Sequence, residues 1–129
     1  MDNIKKILII GTDSEISKYL STFIPLLGNF AIEQAFDLTE ALAKTNAFEP
    51  ELIIYDLNLS GAEAKDVLRE ICAKHPKINL LVILKEKTEE ARLRSENIRD
   101  ILVKPFDLSD LSQKVKKLLS LDKEIPEQQ

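Results

Sequence analysis

Two residues stand where apolar runs end: Asp56 in LIIYDLNLSG and Lys104 in ILVKPF. A carboxylate and an ammonium brought together at strand ends make a fixed ion pair; a strand-end acid with no such neighbour merely points into solvent. A third stretch, ILIIGTDSE, runs from Ile7–Ile10 straight into Gly11, Thr12 and Asp13. A loop of that kind has three uses. It cradles a phosphate at a helix N-terminus, offers oxygen ligands to a metal, or turns the chain and caps a helix. Thr12-x-x-Glu15 has capping-box spacing, and Ser14 or Asp13 would also serve as a cap. Capping is the simpler reading for Thr12 and Ser14, whereas Asp13 is balanced between capping and ligation.

The elements that would position these residues follow from periodicity. Lys5–Ile10 is a β-branched apolar run of the kind found in a buried strand. Ile16, Tyr19, Leu20, Phe23, Ile24 and Leu27 recur at helical steps, and Pro25 should end or kink that helix near Ile24. Gly28-Asn29 turns the chain, and Phe30–Ala35 alternates as a strand. Asp37-Leu38-Thr39-Glu40 has capping-box spacing and opens a helix through Leu42, with Pro50 closing the connection. Glu51–Asp56 is a second buried strand. Ser60-Gly61-Ala62-Glu63 again has capping spacing and opens a helix with Val67, Leu68, Ile71 and Cys72 on its buried face. Lys74-His75-Pro76 ends it. Ile78–Leu84 is the most apolar strand, Thr88–Glu96 a weak charged helix, and Ile101–Val103 a short strand. Asp107 caps a last helix whose buried face carries Leu108, Leu111, Val115, Leu118 and Leu119. The order is (βα)5. Strands this apolar need helices on both faces, so the sheet is expected to be parallel, five-stranded and doubly wound α/β, with right-handed crossovers. Sites in such sheets form at the carboxyl ends of strands, which is where Gly11–Asp13, Asp56, Leu84-Lys85 and Lys104 fall.

Composition narrows the function classes. The chain has 129 residues, enough for one domain; at 44% hydrophobic and 31% charged it can bury a core. A net charge of −4 with both signs dispersed speaks against a nucleic-acid or anionic-membrane surface. No run is long enough for a membrane span, no signal-peptide pattern is present, and the default location is cytoplasmic. The single cysteine, Cys72, leaves no internal disulfide or cysteine-based metal cluster; it reads as a small core residue. His75, beside a proline at a helix end, reads as a surface terminus. No catalytic output domain is visible, and the chain is expected not to be an enzyme. Residues 1–121 form the expected domain and 122–129 a polar tail.

An acid after the third strand and a lysine-proline after the fifth closely resemble the receiver domain of response regulators in two-component signalling. The resemblance runs from Lys5 to about Leu121. It is carried by ILII, DLNLSG, KHPKI, LLVIL and, most specifically, LVKPFDLSDL. It implies the flavodoxin-like fold, with Asp56 as candidate phosphoacceptor, Lys104 contacting the phosphoryl group, and a cis Lys104–Pro105 bond. In the family a Mg2+ ion, the lysine and a hydroxyl neutralise the phosphoryl oxygens. The implied partners are a histidine kinase or phosphotransfer protein, and a protein bound at the face of the fourth helix, fifth strand and fifth helix, where homodimerisation is also possible.

The chain departs from the family in the site itself. The acid pair directly after the first strand is replaced by Gly11 and Thr12. The hydroxyl position at the end of the fourth strand corresponds to Leu84, with Lys85 beside it where a small residue is usual. The aromatic position corresponds to Ile101, and the segment from Leu93 to Ile101 is shorter and lacks its glycine turn. Asp13, Asp56 and the carbonyl of Asn58 remain as weak Mg2+ ligands. Lys85 either reaches over the pocket, replacing part of the missing cation charge, or is a solvated lysine of the run Lys85-Glu86-Lys87. Two functions follow as expectations. One is a receiver that is phosphorylated on Asp56 with an altered switch. The other is a pseudo-receiver, an interaction module independent of phosphorylation, offering Ile98, Ile101 and Leu111 on its partner face. A flavodoxin-like phosphate binder using Gly11–Glu15 is a distant third, given few glycines and no tryptophan.

Overall fold

In a computed structural model, residues 4–11, 14–57, 62–95 and 97–120 are described. Their order is β1 (Lys5–Ile10), α1 (Ser14–Phe23), β2 (Phe30–Ala35), α2 (Leu38–Phe48), β3 (Leu52–Leu57), α3 (Ala62–Lys74), β4 (Asn79–Leu84), α4 (Glu90–Ser95), β5 (Ile101–Val103) and α5 (Leu108–Leu118). The strands form one parallel sheet in the order β2-β1-β3-β4-β5.

Strand alternation divides the core in two. Leu8, Ile10, Ile53, Tyr55, Val82, Leu84 and Ile101 point toward α2, α3 and α4 and pack on Ala41, Leu68, Ile71 and Leu93. Ile7, Ile9, Leu52, Ile54, Leu81, Ile83 and Leu102 point the other way, onto Leu20, Ile24, Leu111 and Val115 of the α1 and α5 side. Both faces of β1, β3 and β4 are therefore covered, which is why these strands read as continuous apolar runs and not as alternating ones.

Local signals held with adjustments. α1 stops at Phe23, and Pro25 sits in a 3-10 turn over Ile24–Leu27. Asp37 caps α2, its Oδ1 accepting the Glu40 N–H at 2.7 Å. The return bond of the box lands one residue early: Glu40 Oε1 accepts the Phe36 N–H at 2.9 Å. α2 runs on to Phe48, beyond the expected Leu42, and ends at Glu49 in the left-handed region (φ 54°). The expected helix Thr88–Glu96 is split into a 3-10 turn, Lys87–Glu89, and the short α4. Asp107 caps α5 through the Asp110 N–H at 2.9 Å. Leu108 is exposed, contrary to expectation, because it lies in the first turn, before the helix settles onto the sheet. Cys72 is half-buried at the rim of α3 beside Ile98, not in the core; burial raises its thiol pKa, which disfavours thiolate chemistry. His75 is at the surface, its Nε2 3.1 Å from Asn46 Oδ1. The expected caps Thr12, Asp13 and Ser60 lie outside the described residues, as does the tail.

Tyr55 is 2% exposed, and burial pushes its phenol up to about 12. Its neutral form is favoured in the fold, so its contribution to stability is intact below pH ~10 and is lost as pH rises from about 10 toward 12. In a Tyr19→Phe background, absorbance titration should place the Tyr55 ionisation near pH 12 or at the alkaline unfolding transition. A midpoint near the ordinary value of about 10 with the fold intact would contradict the burial.

Candidate functional site

The carboxyl ends of β1, β3, β4 and β5 meet along one edge. The register pairs Ile10 with Tyr55, Asp56 with Ile83 and Leu84 with Val103. Alternation then sets Gly11, Asp56 and Lys104 on the α1/α5 side, in sequence with Ile9, Ile54 and Leu102. The structure brings Asp56 and Lys104 together: Lys104 Nζ stands 3.2 Å from Asp56 Oδ1. The Asp56 side chain is 0% exposed and that of Lys104 21%. This is a covered carboxylate facing an ammonium that still touches solvent. The Lys104–Pro105 bond is cis.

Gly11 approaches Asp56 closely. Its N–H donates to Ala35 O at 3.0 Å, so β1 continues in the sheet through this residue. A Cβ placed on Gly11 would lie 2.9 Å from Asp56 Cβ and 3.5 Å from its Oδ2. The end of β1 thus approaches Asp56 more closely than any residue with a side chain permits. Glycine is the residue type that lets the backbone close onto the carboxylate at this point.

Leu84 was expected at the hydroxyl position, but its side chain is buried among the α2/α3/α4 contacts, on the face away from Asp56 and Lys104. The next residue, Lys85, is exposed at the same edge. Ile98, Ile101 and Leu111 are buried too, so they do not form a partner surface. What α4 and α5 display instead is charge: Glu90 paired with Arg94 at 2.8 Å, and Asp100 between Lys117 at 3.2 Å and Lys114 at 3.9 Å. Asp13 and Asn58, the other oxygen ligands expected for Mg2+, lie outside the described residues.

The described donors offer few oxygens to a divalent ion. Mg2+ requires converging oxygens in near-octahedral array. Among the described residues no three acid, imidazole or thiol side chains converge. Gly11 has no side chain to offer, and Asp56 already faces an ammonium.

A groove of about 560 Å3 opens at the opposite, amino-end pole between Pro50, Pro76 and Leu118, remote from this chemistry. No described helix is long and apolar enough to cross a membrane.

The family model "Response regulator receiver domain" matches residues 7–116. The transcriptional regulatory protein ResD of Bacillus subtilis is 32% identical over 121 residues, covering 91% of this chain and 49% of its own length. PrrA of Mycobacterium leprae is 28% identical, with 88% and 49% covered. The chain spans about half the length of these curated relatives. Among solved structures, a CheY-like response regulator receiver domain protein of Methanospirillum hungatei superposes with a TM-score of 0.79 at 25% identity, covering 95% of this chain and 100% of that one. A pilus assembly-related protein of Burkholderia pseudomallei shares the fold at TM-score 0.78 and 14% identity, with 93% and 92% covered. With its parallel five-stranded sheet and its Asp56–Lys104 pair at the carboxyl edge, the chain belongs to the response regulator receiver domain family.

Proposed function

We propose that this receiver domain works from a fixed state, as a pseudo-receiver: Asp56 and Lys104 stay ion-paired, and the signal passes through protein contact. Receiver domains are signalling modules that interact with histidine kinases or phosphotransfer proteins. The observation that carries the reading is the covered carboxylate, 0% exposed beneath Lys104 and the closely approaching Gly11. A carboxylate attacking a phosphorus must be reachable, and the charge gathering on the phosphoryl oxygens needs cations around it. The charged α4–β5–α5 surface is the proposed contact face, with a protein of complementary charge as the partner and a second copy of the chain as one candidate.

A second reading is favoured by Lys104 itself, which stands where an ammonium would meet phosphoryl oxygens on Asp56. In that reading an Asp56 oxygen attacks the phosphorus of a partner phosphohistidine. The P–N bond breaks and an aspartyl phosphate forms.

Intact mass spectrometry after incubation with a small-molecule phosphodonor separates the two. For the fixed state we expect no adduct with or without Mg2+, a spectrum matching Asp56→Asn, and partner binding unchanged by Asp56→Asn. An adduct that vanishes in Asp56→Asn would establish the second reading instead.

A further inference from the structure

Lys85 has no part in the proposed function above. β4 pairs with β3 on one side and β5 on the other, with Ile83 opposite both Asp56 and Leu102. The ladder continues past the last paired residues, since the Lys104 N–H donates to Leu84 O at 2.9 Å. Glu86 is still extended (φ −134°, ψ 145°). β4 ends at Leu84 and the chain bends at Lys85; alternation carried one step past the strand end puts Lys85 on the side of Ile83, at the level of Lys104. Leu84, between them, points to the other face.

Reach then follows from strand spacing. Neighbouring strands are about 4.8 Å apart. Lys104 starts two strands from Asp56, yet its Nζ arrives within 3.2 Å. Lys85 starts one strand away at the same height, so its side chain has length to spare. It is exposed, so its ammonium is free to turn toward the covered pair.

We propose that Lys85 brings a second ammonium near the Asp56 carboxylate, sharing with Lys104 the electrostatic place of the divalent cation, so that this pocket excludes Mg2+. The inference rests on the fixed-state reading and deepens it. Among the described residues, one carboxylate with two ammonium groups beside it carries a net positive charge, and a divalent cation entering there meets like charge. Two features of this chain set it against the family's metal: the close approach of Gly11 to Asp56, and the added charge of Lys85.

The test is a Mg2+ titration followed by backbone amide shifts of Gly11, Asp56 and Leu57 in the wild type, Lys85→Thr, Lys85→Arg and, as a charge control, Lys77→Thr. The wild type, Lys85→Arg and Lys77→Thr are expected to show no saturable shift up to about 10 mM, as for sites with too few carboxylates. Lys85→Thr should bind at least about tenfold more tightly, as expected on losing a neighbouring unit charge, and Lys85→Thr/Asp56→Asn should lose that binding. Wild-type saturation at low millimolar Mg2+, or identical titrations for the wild type and Lys85→Thr, would overturn the proposal. The readout needs no phosphorylation, so an Asp56 adduct in the mass experiment would refute the fixed state while leaving this result separately legible.

Discussion

Lys104→Met is expected to lower the unfolding free energy by about 3 kcal/mol at neutral pH, the usual cost of leaving a buried charge without its partner. The pair is asymmetric. Asp56 has no route to water, whereas Lys104 is 21% exposed and can turn outward if its partner is neutralised. Asp56→Asn should therefore cost about 1 kcal/mol or less, and Lys104→Met/Asp56→Asn should recover most of the loss. Lys104→Met/Lys85→Thr should be less stable than Lys104→Met, since it removes the remaining nearby ammonium. Urea denaturation measures all four. If Lys104→Met alone costs under about 1 kcal/mol, the carboxylate is solvated in solution and the fixed state is wrong.

Gly11→Ala is the second large effect. Its added Cβ would sit 2.9 Å from Asp56 Cβ. A methyl forced into a packed site costs about 1–3 kcal/mol, because strand β3 or the end of β1 must shift. Gly11→Asp should cost more at neutral pH, since it also places a second carboxylate beside the first. That repulsion raises the carboxylate pKa values in the fold, so the excess over Gly11→Ala is present when both are ionised and fades as acid protonates them. Thermal denaturation at neutral and acidic pH gives both differences. A neutral Gly11→Asp that gains stability on adding Mg2+ would show that β1 does not close onto Asp56.

The sequence made the frame readable because the apolar runs are long and the turns well marked. Periodicity placed every strand, and the Asp37 and Asp107 caps formed where their spacing predicted. The pairing of Asp56 with Lys104 was also legible, through the strand ends and LVKPF. Side-chain direction was harder. Leu84 and Lys85 are adjacent, and only the structure shows that Leu84 faces away from Asp56. The meaning of Gly11 was hidden for a similar reason. In sequence it is an acid that is missing; in three dimensions it is a close approach between two strands. Ile98, Ile101 and Leu111 looked available to a partner because hydrophobic residues in a connecting segment, an edge strand and an outer helix can point either way, and here they complete the core.

The two outer strands also bear on how the protein behaves when crowded. β5 has only three residues and is followed almost at once by Pro105, which has no N–H to donate. At the opposite margin, β2 carries Glu33, and the Lys44 ammonium takes up Gln34 O at 2.7 Å. A stray extended chain finds few open backbone groups at either margin, and charged side chains stand beside the longer one. The sheet is thereby protected against growing by edge addition into aggregates, which leaves side-chain surfaces as the means by which copies or partners associate.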